Sequence, residues 1–171
     1  MKPAPTSSSW HVAVAAEAIA AAQFARLGFD VSVQYGADQP EYDLIVARPD
    51  RMLKVSVKGS QDGSWGLTQS FLKEANYHGA IDVWLSRHGV KTVLCFVQFK
   101  GVGFNELPRL YLARPAEVAQ RLRETAKGRG DTVLYEEHTW GPRAVGAGTT
   151  ERLPASWAFQ PERVHEITDE T

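Results

Sequence analysis

Four residues of this chain have types and spacings that could do chemistry: Glu17, Asp43, Ser56 and Lys58. Asp43 stands at the start of the apolar run DLIVA, where burial of a carboxylate is costly unless a partner is near. Lys58 lies close to the end of the next run, MLKVSVKG, and Ser56, two residues earlier, shares its face in an extended strand. RPDR between the runs reads as a tight turn. Two strands so joined bring the start of the first beside the end of the second. Glu17 interrupts the stretch VAVAAEAIAAAQFARLG, and its helical neighbours Ala13, Ala20, Ala21 and Phe24 are apolar, so it can face a sheet. Two carboxylates and a lysine at a sheet end suit phosphoryl chemistry. Carboxylate oxygens hold Mg²⁺, a bound cation polarises a phosphoryl oxygen, and a lysine orients water or stabilises developing charge.

The elements that must position these residues are legible as periodicities. Ser9 as N-cap and Gly28 as stop bound a helix over about residues 10–27. FDVSVQY, YDLIVA and MLKVSVKG read as three strands, the last strictly alternating. QSFLKEANYH (69–78) suits a helix, AIDVWLS (80–86) and TVLCFVQF (92–99) read as two strands, and RHGVK between them as a hairpin turn. RLYLA is short and extended, and Pro115 starts a helix that Gly128 ends. DTVLYEE is a final strand. Residues 140–159, rich in Gly and Pro, read as a long loop that packs by its aromatics, and the chain from Glu162 onward is an acidic tail. The expected organisation is a flexible tail over 1–8, a domain over 9–136 and a loop-rich extension over 137–171 that packs on it. The order α-β-β-β-α-β implies an α/β (α+β) fold with a central mixed sheet flanked by helices.

A helix glutamate, an aspartate at a strand start and a following strand ending in V-K, in that order of elements, resemble the PD-(D/E)XK nuclease superfamily. LGFDVSVQYGADQPEYDLIVARPDRMLKVSVKGS is most similar to the subgroup of group I intron-associated endonucleases and resolvases, with its G-[YF]-x-V, Y-D-L-[IV]-V and V-x-V-K segments. The likeness covers residues 11–60 well and 61–100 in outline. It implies a restriction endonuclease-like core, a Mg²⁺ (or Mn²⁺) cofactor, a metal-binding Asp43, a catalytic Lys58 and a helix carboxylate at Glu17. The departure is Ser56, where the superfamily carries Glu, Asp or Gln. The function so implied is metal-dependent DNA endonucleolysis at Asp43, Ser56 and Lys58 with Glu17. The alternative is an inactive nuclease-like domain that binds nucleic acid or a protein partner. DNA is the first expected partner and RNA the second, and a homodimer is open.

Gln34, Ser60, Gln61, Gln69 and Lys73 flank these motifs and are candidate nucleic-acid contacts. The segment from Arg109 to Arg129 holds six cations against Glu117 and Glu124, a local charge of about +4 that could meet a phosphate backbone. The whole chain has 171 residues and a net charge of −1, unlike a dedicated basic nucleic-acid binder. The lone Cys95 excludes an intramolecular disulfide and reads as core. The five histidines are scattered, which argues against zinc. No phosphate-binding P-loop motif occurs. The Ala-rich stretch is too short and too polar to span a bilayer, so a cytoplasmic protein with no membrane partner is expected. Trp140 and Trp157 are candidate anchors for a protein partner.

Overall fold

The computed structural model describes residues 7–34 and 41–169. Most of the expected N-terminal tail, Tyr35 and the loop before Glu41 lie outside the described residues. Helix α1 (Ser9–Arg26) begins one residue later than its cap, which is Ser8. The Ser8 hydroxyl accepts from the His11 amide, while the Ser8 amide donates to the His11 ring. Strands β1 (Asp30–Val33), β2 (Leu44–Arg48) and β3 (Arg51–Ser60) form the expected antiparallel meander, with Arg48 and Arg51 paired across the turn. A short strand β4 (Ser64–Gly66), a 3-10 turn (Gln69–Phe71) and helix α2 (Tyr77–Ser86) lead to β5 (Thr92–Gln98), which runs parallel to β3. Strand β6 (Arg109–Ala113) closes the sheet, whose order is β1-β2-β3-β5-β6. The elements α1, β1, β2, β3, α2 and β5 thus give the α-β-β-β-α-β order around a mixed sheet flanked by helices.

The chain departs from its sequence pattern at residues 69–86. The helix expected over 69–78 is broken, because Glu74 and Ala75 have φ of 49° and 57°, a left-handed pair that no α-helix contains. Asn76 then caps α2 by accepting from the Gly79 amide at 2.9 Å. The run AIDVWLS is therefore helix, not strand. Its buried residues are Ala80, Ile81 and Trp84, a spacing that one helix face satisfies. RHGVK is consequently a helix-to-strand connection. This also explains the parallel pairing, since parallel neighbours need a crossover.

The C-terminal third is more regular than its composition suggests. Helix α3 (Pro115–Glu124) is followed by β7 (Val133–Tyr135), which pairs with β4 in a separate small sheet. The stretch expected as a loop carries β9 (Thr150–Arg152), paired with β8 (Glu137–Thr139), and a 3-10 turn at Ala155–Trp157. The acidic tail is helix α4 (Pro161–Asp169). Val164 and Ile167 of α4 enter the core, and Arg163 is held by Glu117 at 2.7 Å. Among the described residues no helix is long and apolar enough to cross a membrane.

Two apolar layers sandwich the sheet. On one face Ala16, Ala20 and Phe24 of α1 pack on Leu44, Val55, Val57 and Cys95. On the other, Ile81, Trp84, Val118 and Leu122 pack on Leu94 and Phe96. β5 is buried along its whole length, as a central strand covered on both faces must be. Contact between α1 and β3 is closest at Gly59. A Cβ there would lie 2.9 Å from both the Ala16 Cβ and the Val12 carbonyl oxygen. Gly59 is thus the position that lets α1 lie directly on the strand. Gly59→Ala should lower stability by about 1–3 kcal/mol through overpacking. Urea denaturation checks this, and an unchanged midpoint would show that α1 shifts freely.

Candidate active site

β3 passes under α1 where the sheet ends, and that crossing forms a cleft of about 490 Å³. Glu17 from α1, Asp43 from the residue before β2 and Lys58 from β3 line it together. Each reaches the cleft for a local reason. Ala16 and Ala20 are fully buried and hold α1 on the sheet, which leaves Glu17 half-buried at the edge of the contact. Asp43 is fixed through both ends of the residue. Its amide donates to the Val55 carbonyl at 2.8 Å, and its Oδ2 accepts from the Val57 amide at 2.6 Å. The Lys58 carbonyl accepts from Trp65 Nε1 at 2.9 Å, and Trp65 is itself buried edge-on to Phe96.

The three charges are coupled. Burial, then repulsion from Asp43, raises the Glu17 carboxyl above its ordinary range, while Lys58 draws it back in part. Burial likewise raises Asp43, against the opposing pull of the Val57 amide and of Lys58. Two carboxyls that resist ionisation beside each other form a site where added positive charge is favourable.

Ser56 does not join them. It is 1% exposed, lies beside Leu94 in the parallel register and does not line the cleft. Ser60 and Gln61 do line it. The Ser60 hydroxyl donates to Asp62 at 3.0 Å, and Gln61 exchanges hydrogen bonds with Ser7 just before α1. Gln34 stands beside the site, its backbone amide donating to the Asp43 carbonyl at 2.8 Å. Gln69 packs on Gly66 at the cleft wall, and Lys73 belongs to a neighbouring groove.

The sequence pattern missed one carboxylate of the cleft, Asp62. Burial would raise its carboxyl, but hydrogen bonds from the Ser64 amide and the Ser60 and Ser64 hydroxyls outweigh that and hold it below the ordinary range. The signal was S-x-D-x-S, the composition of an Asx turn. Its role here is to shape the loop after β3.

The basic segment after Arg109 is largely neutralised within the chain. Arg109 pairs with Glu136, Arg121 with Glu151, Arg123 with Asp82 and Arg129 with Asp131. The tryptophan pair is also internal. Trp157 is buried in the second core layer, and half-buried Trp140 donates to Glu151. Cys95 is buried, and burial pushes its thiol far above the range of a nucleophile.

Linkage gives a test of the paired carboxyls. Both pKa values are raised on folding, so the stability they favour is present below the ordinary carboxylate range. It is lost as pH rises through the raised values. Asp43→Asn removes one ionisation and the repulsion on Glu17. Its melting temperature without divalent ions should exceed that of the wild type at about pH 7 and converge with it near about pH 4. A variant that is less stable at neutral pH would contradict the coupling.

No family model, curated protein or solved structure matches the chain.

Proposed function

We propose that the chain is a metal-dependent endonuclease that hydrolyses phosphodiester bonds of DNA in the cleft of Glu17, Asp43 and Lys58. The observation that carries this reading is the meeting of those three residues, drawn from α1, from the residue before β2 and from β3, in one cleft. The α-β-β-β-α-β order around the sheet supports it as well.

The donor set fits Mg²⁺ or Mn²⁺. Such ions bind through one or two carboxylates and keep several waters. Glu17 and Asp43 supply two carboxylates, and both favour added positive charge. Among the described residues no group of three His, Cys, Asp or Glu side chains converges on one point, so two carboxylates and water would be the whole donor set. When bound, the ion would polarise the phosphoryl group and acidify a water.

The side chains divide the remaining work. The Val57 amide holds Asp43 Oδ2 and so fixes the carboxylate at the cleft. Glu17 supplies the second negative charge that the superfamily places two residues before the lysine. Lys58 orients the attacking water and stabilises charge that develops on the phosphoryl oxygens. Ser56 in this reading packs the strand and does no chemistry.

That same serine favours a second reading, a nuclease-like domain that binds nucleic acid without cutting it, because the strand itself brings no second carboxylate. A nicking assay on supercoiled plasmid and single-stranded DNA, with Mg²⁺, Mn²⁺ or EDTA, separates the two. Metal-dependent nicking that Lys58→Ala slows by about 10²–10³-fold is the expected result. Binding without nicking would select the second reading. Equal nicking by both proteins would sink the first.

A further inference from the structure

Beside the cleft lies a second groove of about 510 Å³, between the 3-10 turn and α2, lined by Ser70, Phe71, Lys73, Asn76, Val83 and Arg87 among others. Its two cations differ from six arginines further along the chain. Arg109, Arg121, Arg123, Arg129, Arg152 and Arg163 each face a carboxylate. Among the described residues Lys73 and Arg87 have no carboxylate partner, and no acid lines the groove. Arg87 is held in place by the Phe71 ring, with its guanidinium carbon 4.6 Å from the centroid. Both cations are exposed. A fixed guanidinium, a free ammonium, a hydroxyl and an amide form a donor-rich surface with a net charge of +2.

The groove adjoins the cleft through Gln69. Ser64, Trp65 and Gly66 line the cleft, and the Gln69 amide lies directly on Gly66, so that a Cβ there would be 2.2 Å from Gln69 Nε2. Gln69 opens the 3-10 turn, and the next two residues of that turn, Ser70 and Phe71, line the groove. Gln69 therefore lies between a residue of the cleft and two residues of the groove. Its amide offers both donors and acceptors to a strand that crosses it.

We propose that the Lys73–Arg87 groove holds the phosphate backbone of the same nucleic-acid strand whose scissile bond lies in the cleft, with Gln69 bridging the two. The proposal rests on the endonuclease or nucleic-acid-binding reading. It makes the substrate a polynucleotide with phosphates on one side of the bond, and excludes a mononucleotide or a small phosphodiester as the preferred ligand. Lys73 and Arg87 act on affinity and length preference, away from the chemical step.

The test is fluorescence anisotropy in EDTA with a labelled single strand of about 30 nucleotides, longer than the roughly 4–16 that one small domain covers. Wild type is compared with Lys73→Ala/Arg87→Ala and with the charge-keeping Lys73→Arg/Arg87→Lys over a range of salt. The alanine pair should bind about tenfold more weakly, with the slope of log K against log salt reduced by about 1.4. The charge-keeping pair should restore most of that slope, and all three proteins should melt alike. Wild-type binding with an unchanged affinity and slope in the alanine pair would overturn the groove and leave the cleft reading intact. A wild type that binds no nucleic acid would overturn both.

Discussion

The approach of α1 to β3 at Gly59 is the constraint on which the rest of this molecule depends. A helix and a strand come together here with a glycine hydrogen against Ala16 and the Val12 carbonyl. No larger residue fits without moving a main chain. The small residues on α1 exist in the same register, with Ala16 and Ala20 fully buried every four positions. Because the helix lies that low, its Glu17 reaches the end of the sheet and meets Asp43 and Lys58. Packing and electrostatics at the cleft are therefore one problem. The tight contact that stabilises the helix also forces two carboxylates together, and the buried lysine-bearing strand offsets part of their repulsion.

The site is held rigidly from beneath. The Val57 amide grips Asp43, Trp65 grips the carbonyl of Lys58, and Asp62 gathers two serines to set the loop that follows. The first two are contacts to main-chain atoms, and the third is a cluster of side chains. They leave the functional ends of Glu17 and Lys58 open while fixing where their backbones lie. Preorganisation of this kind is what a proposed phosphoryl site requires, since reorganisation at the moment of reaction would add to the barrier.

The meander was readable because each of its signals is local. Alternation in MLKVSVKG, the RPDR turn and the Ala-rich helix needed no distant partner to interpret. Glu17 was readable from its apolar neighbours alone. Residues 80–86 were misread because Ile81, Val83 and Trp84 carry strand-like side chains, and a short apolar run does not declare its period. What decided it was the local cap at Asn76 together with the layer of α3 beneath, and only the second is a tertiary fact. Ser56 was misjudged for a related reason. Alternation gives its face, but burial beside Leu94 withholds it from the cleft. Asp62 and the Gln69–Gly66 contact depend on how a loop folds back, which no periodicity records.

The internal pairing of the arginines has a consequence for how this protein meets anything at all. With Arg109, Arg121, Arg123, Arg129 and Arg152 each beside a carboxylate, this part of the surface has short alternating dipoles in place of a broad positive field. Dipoles fade within a Debye length at physiological salt. A charged molecule approaching from bulk solution feels little guidance and arrives at the ordinary docking rate of about 10⁵–10⁷ M⁻¹s⁻¹. Selection among encounters then falls to residence time, set by contacts at close range. Such a surface discriminates by how long a ligand stays and hardly at all by how fast it comes.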